Sequence, residues 1–328
     1  MTQAPAMRAF GFASYGGPEV AVPLGLPVPV PGPGEVLVRM SAAGVNPADV
    51  KVRSGHRQGA FDVRFPMAMG REAAGAVIAV GAGVDGWAVG DEVFGAAAAG
   101  TGALAEAVLL DAGSVARRPA GVPPEQVACI PVSVGTAWDA LDELALPAGA
   151  TLLVLGAGGG VGSATCGIAA ARGLTVLGVA SAGKRDLVEG LGATHVPSGE
   201  GWTGRVRSLA VDGLVDGVMD LVGGDVLRDG AALARDPQRV RSVATPAIAK
   251  ELGGSGVTRR RTTTVFTAIA ETVAAGEFTP VVTATWPLAQ AERAVAAVED
   301  GHAAGNVVVL ADSAAAPDAG PRVADPAP

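Results

Sequence analysis

Short apolar runs separated by glycine turns dominate the chain, and the period of the pattern changes along it. Glu35–Met40 (EVLVRM) alternates apolar and polar positions, as a half-buried strand does. Ala73–Val80 is apolar and bounded by glycines, and Gly90-Asp91-Glu92-Val93-Phe94 leaves a turn into a further strand. Pro23, Pro27, Pro29, Pro31 and Pro33 predict an extended connector, because proline fixes φ and has no N–H to donate. From Met7 to about Leu110 the pattern is therefore β-rich. After about Gln126, apolar runs alternate with helical segments, which predicts a doubly wound parallel sheet. Its strands are expected at Thr151–Leu155, Thr175–Val179, Gly217–Leu221 and Val240–Ala244, with an Ala-rich helix from about Val161. The C-terminal part reads as a helix Val265–Ala275, a strand Val281–Thr285, a helix Leu288–Asp300 and a strand Asn306–Leu310. No internal repeat is visible.

The first of the parallel strands runs into Ala157-Gly158-Gly159-Gly160-Val161-Gly162, an A-x-G-x-x-G turn that opens a helix and leads to a second strand. A bare glycine pattern means little in a chain with 48 glycines; strand, turn, helix and strand in that order mean much more. Gly159 lets the backbone approach a pyrophosphate, Gly162 lets the helix pack on the strand, and the helix N-terminus offers N–H groups and partial positive charge. An NAD site usually places an acid at the end of the second strand, where it binds the ribose 2′-OH. Here no acid occurs from Thr151 to Arg185. Ser181, Lys184 and Arg185 stand there instead, a hydroxyl and two cations that suit a 2′-phosphate. The expected cofactor is NADPH. The competing reading makes Lys184 and Arg185 solvated charges at the start of the next helix.

Composition narrows the class. With 328 residues, 49% of them hydrophobic, the chain is too long for one compact core and suits two domains. A net charge of −8 gives no electrostatic case for nucleic acid or an anionic membrane. No apolar run reaches the roughly 18 residues of a membrane span, and MTQAPAMRAFG lacks the features of a signal peptide. Cys129 and Cys166, the two cysteines, lie in apolar surroundings and read as buried thiols. A cytoplasmic location is expected. Residues 313–328 are expected to be a disordered tail.

Several ordered motifs resemble the medium-chain dehydrogenase/reductases. They are Ala43-Gly44-Val45-Asn46-Pro47-Ala48-Asp49, Gly70-Arg71-Glu72-Ala73-Ala74-Gly75-Ala76-Val77, Gly81 with Gly90-Asp91-Glu92-Val93, Gly135-Thr136-Ala137-Trp138, Gly158–Gly162 and Asp220-Leu221-Val222-Gly223-Gly224. The resemblance covers about Met7 to Leu310, and the branch it is similar to is that of the zinc-independent quinone oxidoreductases and enoyl reductases. It implies an α/β protein with a GroES-like, β-rich catalytic domain that is discontinuous (residues 1–125 and 265–312) around a Rossmann NADPH-binding domain (126–264). It also implies an active site in the cleft and a homodimer. Zinc-dependent relatives have Cys where Asn46 stands, His where Arg71 stands, and a lobe with four cysteines that is missing between Gly95 and Glu106. With two cysteines and three scattered histidines (56, 195 and 302), no metal site is expected.

Hydride transfer without zinc needs an electrophilic acceptor and a donor for the oxygen on which charge develops. Interconverting simple alcohols and ketones usually recruits zinc or a Tyr/Lys pair, and the one tyrosine, Tyr15, stands in no Y-x-x-x-K motif. Quinones and α,β-unsaturated carbonyls ask less of the protein. The resemblance places Asn46 beside nicotinamide and acceptor; from residue types alone, Asn46-Pro47 is equally a turn that opens a helix. Lys51 is a candidate oxyanion donor or a solvated helix cation, and His56 a candidate proton relay or a surface histidine. Asp49 is expected to hold local structure. Arg71 is expected to pair with Glu72 or Asp91. By the same resemblance Thr136 touches the nicotinamide region, and Val222, Phe266 and Asn306 are further cofactor contacts, with Asn306 where relatives usually have Lys. The function expected is an NADPH-dependent, zinc-free reductase of a quinone or an α,β-unsaturated carbonyl. The alternatives are a tailoring enoyl reductase of a polyketide-like pathway and a catalytically silent NADPH-binding sensor or structural protein.

Overall fold

The computed structural model describes residues 6–312; the tail expected to be disordered lies outside them. The first part of the chain forms β1 (Ala6–Phe12), β2 (Val22–Pro27), β3 (Glu35–Val45), α1 (Pro47–Arg53), β4 (Met67–Ala68), β5 (Glu72–Val80), β6 (Glu92–Ala97) and β7 (Ala107–Arg117). Next come α2 (Pro124–Val127), α3 (Gly135–Leu144), β8 (Thr151–Leu155), α4 (Gly160–Ala171), β9 (Thr175–Ala180), α5 (Arg185–Gly190), β10 (Thr194–Pro197), α6 (Trp202–Leu209) and β11 (Gly217–Asp220). The chain continues with α7 (Gly224–Ala231), β12 (Val240–Ser242), α8 (Pro246–Glu251), α9 (Thr263–Ala274), β13 (Val282–Pro287), α10 (Ala291–Glu299) and β14 (Asn306–Leu310).

Two compact units result. Among the described residues, one contains 6–132, 261–274 and 282–312; the other contains 133–260 and 275–281. In the first unit, β3 is the hub. It is longer than its alternating pattern predicts, and it pairs antiparallel with β5 along its length. Its first half also pairs with β7 (Glu35↔Asp111 to Arg39↔Ala107) and its second half with β14 (Val45↔Val307 to Ala42↔Leu310). With β5–β6 and β6–β7 also paired, the sheet closes on itself and leaves few open edges. Phe12, Met40, Phe94, Leu104 and Leu110 fill its core. Buried Arg53 at the end of α1 binds Glu299 of α10 at 2.6 Å, so the C-terminal helix is tied to the first one.

The proline stretch departs from expectation in part. Val22–Pro27 is a strand despite Pro23 and Pro27, because β2 is an edge strand that pairs only with β1, in the order β2-β1-β4. An edge tolerates residues that cannot donate on one side.

The second unit is a five-stranded, wholly parallel sheet in the order β10-β9-β8-β11-β12. It is the doubly wound, Rossmann-type arrangement, with the order reversing between β8 and β11. All five residues of β8 are buried, as a central parallel strand covered on both faces requires. Leu153, Leu155, Leu177, Val179 and Val218 form the core around it. Among the described residues no helix is long and apolar enough to cross a membrane.

Candidate functional site

In open parallel sheets, ligands bind beyond the carboxyl ends of the strands where the order reverses. Here that place is the turn after β8 and the loop after β11. The turn is tied down by Gly156 and Ala157, whose N–H groups both donate to the Val179 carbonyl at 3.0 Å. Gly159 caps α4 in an extended conformation, and Gly160, Val161 and Gly162 supply the first-turn N–H groups that have no helical partner. The loop after β11 is held by Asp220. Its carboxylate accepts from the Val222 N–H (3.0 Å), the Gly223 N–H (2.9 Å) and the Ser242 hydroxyl (2.6 Å). Val222 is left 53% exposed. The two loops are neighbours: a Cβ added to Gly156 would lie 3.2 Å from a Val222 methyl.

The glycines of the turn differ in what they are for. A Cβ at Gly162 would stand 2.1 Å from the Gly156 carbonyl oxygen, so that glycine serves helix–strand packing. A Cβ at Gly159 would meet nothing closer than 3.8 Å. The fold itself does not require a glycine there, and the open cradle fits a group of the size and charge of a pyrophosphate. A Cβ at Gly158 would strike the Lys184 side chain at 2.2 Å, so Lys184 lies across the turn. Burial lowers the pKa of its ammonium. Arg185, in contrast, bonds Glu189 on its own helix at 3.3 Å and is largely exposed. Ser181 is exposed at the end of β9, and its carbonyl lies 3.2 Å from His195 Nε2. These residues fit a dinucleotide. A shallow groove of about 380 Å³ at the opposite end of β8, walled by Asp216 and Arg235, carries none of these features.

Thr136, on α3, is buried, and its hydroxyl accepts from Arg259 Nε at 3.1 Å. Arg259 also pairs with buried Asp139 at 3.4 Å. Nothing in the sequence marks Arg259, which stands 123 residues from Thr136.

The first unit assembles a separate cluster. Asn46 caps α1, and its N–H donates to Asp49 Oδ2 at 2.8 Å. Its carboxamide Nδ2 donates to Glu72 Oε1 at 2.7 Å, while Glu72 Oε2 accepts from the Val132 N–H at 2.7 Å. The turn reading and the donor reading of Asn46 thus coexist: the residue opens a helix, and buried Glu72 sets the orientation of its amide, which keeps a second N–H. Gly44 makes room, since a Cβ there would lie 2.1 Å from Glu72 Oε1. Sequence reasoning missed Glu72 as a partner of Asn46. Asp49 is buried, and burial pushes it up to about 7 against the pull of its bond to Asn46 and the charge of Arg71.

One expectation is corrected, and three site candidates are placed. Arg71 pairs with neither Glu72 nor Asp91: Glu72 is engaged by Asn46 and Val132, and Asp91 binds Arg117 at 2.8 Å. The Arg71 guanidinium instead stacks 4.0 Å from the centre of the Phe61 ring. Phe266 is fully buried and packs on Phe94 with ring centres 6.2 Å apart, on the helix α9 that packs against β7. Lys51 and His56 are not drawn into the Asn46 cluster. Lys51 is exposed on α1, and His56 Nδ1 lies 2.6 Å from the Ser54 hydroxyl in the following turn. Asn306 is buried at the start of β14. Both cysteines are buried, which pushes Cys166 up to about 12 and Cys129 well above the ordinary range, so neither is a thiolate nucleophile. Among the described residues no three His, Cys, Asp or Glu side chains converge as metal ligands would.

Comparison with known proteins agrees with this architecture. Residues 32–120 match the family described as alcohol dehydrogenase GroES-like domain, and residues 191–309 the family described as zinc-binding dehydrogenase. The chain is 33% identical over 301 residues to the polyketide synthase GfsB of Streptomyces halstedii, which covers 87% of this chain but only 5% of that protein. It is 33% identical over 197 residues to 2-methylene-furan-3-one reductase of Solanum lycopersicum, covering 57% of this chain and 50% of that one. Among solved structures, an NAD-dependent alcohol dehydrogenase is 30% identical with a TM-score of 0.84, covering 93% of this chain and all of that one. A mycobacterial quinone oxidoreductase is 30% identical with a TM-score of 0.77, covering 93% of this chain and 99% of that one. The closed β unit, the parallel sheet with its glycine turn and these relatives make the chain an oxidoreductase of the medium-chain dehydrogenase/reductase family.

Proposed function

We propose that the protein is an NADPH-dependent reductase that works without zinc and passes hydride to a quinone or an α,β-unsaturated carbonyl. The observation that carries the reading is the Asn46 carboxamide, buried and oriented by Glu72, at a position where zinc-dependent relatives place a metal-binding thiol. An amide held this way can donate to an acceptor oxygen as charge builds on it, without reorganising. The cofactor would rest on the Gly158–Gly162 turn, with Lys184 and Ser181 toward the 2′-phosphate, and Val222 and Thr136 toward the nicotinamide; when bound, it supplies the hydride. Lys184 across the turn, with no acid at the end of β9, supports NADPH over NADH. The names of two similar proteins, a quinone oxidoreductase and a methylene-furanone reductase, support the acceptor class. A tailoring enoyl reductase is the second reading, supported by the match to a polyketide synthase over 301 residues. A cytoplasmic homodimer belongs to the same proposal.

The test is oxidation of NADPH and NADH against a panel of quinones, simple enones and enoyl thioesters. Turnover of quinones or enones, faster with NADPH, is the expected result. Turnover of thioesters alone selects the tailoring reading. Tight NADPH binding without turnover of any acceptor leaves a silent NADPH-binding protein.

A further inference from the structure

Strand β10 lies beside β9 at the edge of the parallel sheet and carries His195 into the interior, 5% exposed. The register sets His195 opposite Gly178, and its ring reaches further along β9 to the strand's end. There Nε2 lies 3.2 Å from the Ala180 carbonyl and 3.2 Å from the Ser181 carbonyl. Carbonyl oxygens only accept, so Nε2 carries the hydrogen and is shared between the two. Nδ1 is buried and meets no partner among the described residues. The ring therefore costs the fold one unmet polar atom.

Neither carbonyl needs the imidazole for want of a donor. The Ala180 oxygen also accepts from the Ser198 N–H at 2.8 Å, and the Ser181 oxygen from the Lys184 N–H at 3.0 Å. What the ring adds is position. The Ser181 oxygen closes the short turn Ala182–Lys184, which brings Lys184 across the glycines after β8. The tip of that turn has little else to hold it. Ser181, Ala182 and Gly183 are exposed, and a Cβ at Gly183 would meet no atom within 4 Å. One buried ring thus anchors, from behind, the peptide from which Ser181 and the turn to Lys184 lead.

We propose that His195 is a positioning residue for recognition of the adenosine 2′-phosphate: by donating to the Ala180 and Ser181 carbonyls, it holds the turn that presents Ser181 and Lys184, and so sets the preference for NADPH over NADH. This rests on the NADPH reading above. The ring is buried behind the strand end and acts through the turn rather than on the phosphate. Donors held in place before binding spend less of their interaction on ordering, so a rigid turn grips a phosphate better than a loose one. A ribose 2′-OH asks less of those donors, so loosening the turn should fall on the phosphate.

The test uses two nucleotides that differ only by the 2′-phosphate, 2′,5′-ADP and 5′-AMP. Each is titrated calorimetrically into the full chain as wild type, His195→Leu and His195→Gln. Wild type is expected to bind 2′,5′-ADP more tightly. His195→Leu should weaken 2′,5′-ADP by about fivefold or more and leave 5′-AMP within about twofold. The side-chain amide of His195→Gln supplies an N–H at similar reach and should recover most of the loss. His195→Leu fills the same space, leaves both carbonyls their backbone donors and removes the unmet nitrogen, so it should melt near wild type. Its amide hydrogen exchange should quicken over residues 181–185 and not over β8. Equal weakening of both nucleotides, no weakening of either, no recovery in His195→Gln, unchanged exchange over the turn, or a large loss of thermal stability in His195→Leu would each overturn the assignment. Equal affinities in wild type would defeat the NADPH reading and the role of His195 with it, whereas a wild-type preference that survives in His195→Leu defeats the role of His195 alone.

Discussion

The glycine turn and the Asn46 cluster are built in opposite ways. The turn lies within one stretch of 35 residues, Thr151 to Arg185, and the polar groups it presents are mostly backbone N–H. The cluster draws Asn46 and Asp49 from one segment, Arg71 and Glu72 from another and Val132 from a third, and works through buried side chains. A site made of backbone is encoded locally by what is absent, namely side chains at glycines. A site made of side chains depends on which distant partners the fold delivers. The first therefore tolerates few substitutions at few positions, while the second is open to retuning by single residues.

The comparison is broken most directly at the glycines. Gly162→Ala should destabilise the protein by about 1–3 kcal/mol in denaturant unfolding, because the added carbon overlaps the Gly156 carbonyl. Gly159→Val should change stability by less than about 0.5 kcal/mol yet abolish NADPH binding. If both variants bind NADPH, the turn is only a turn.

In the side-chain cluster the effect should fall on rate. Asn46→Ala is expected to lower kcat/KM by roughly 10- to 1,000-fold while the NADPH dissociation constant stays near wild type. Glu72→Gln, which removes the charge that orients the amide, should cost about 1–3 kcal/mol of stability and lower kcat in the same direction. Wild-type rates in Asn46→Ala would reduce that residue to a helix cap.

A smaller effect separates the two cations of the turn. Lys184→Ala should weaken NADPH by about 1–3 kcal/mol and NADH by less. Arg185→Ala should change little, since Arg185 is exposed and paired with Glu189. Equal wild-type affinities for NADPH and NADH would remove the assignment.

The last contrast is one of pH. Asp49 is raised to about 7 in the folded state by burial, from an ordinary value near 3.8. A raised carboxyl stabilises the fold fully below its unfolded value and loses that contribution as pH rises through the folded one. Thermal stability of wild type should therefore decline from about pH 4 to pH 7 relative to Asp49→Asn, whose side chain does not titrate, and level off above that. Parallel melting curves that keep a constant gap across that range would show Asp49 titrating normally.

By itself, the sequence located four of the five parallel strands of the second unit and the helix after the glycine turn, but did not mark β10 or the shorter helices. Thr151–Leu155 is the strand its apolar run predicts, and the helix starts at Gly160, one residue before the position expected. Apolar period, glycine placement and helix-end chemistry are local, so a single chain displays them. The same local rules misplace Pro23 and Pro27, since whether a proline can sit in a strand depends on whether that strand has a second neighbour. Only the tertiary structure decided that β14 returns to β3, that Glu72 holds Asn46, that Phe266 is core and that Arg71 stacks on Phe61 instead of pairing with Glu72 or Asp91. The first three depend on partners between 26 and 268 residues away, and pairing at that range is set by packing that leaves no mark on the local pattern.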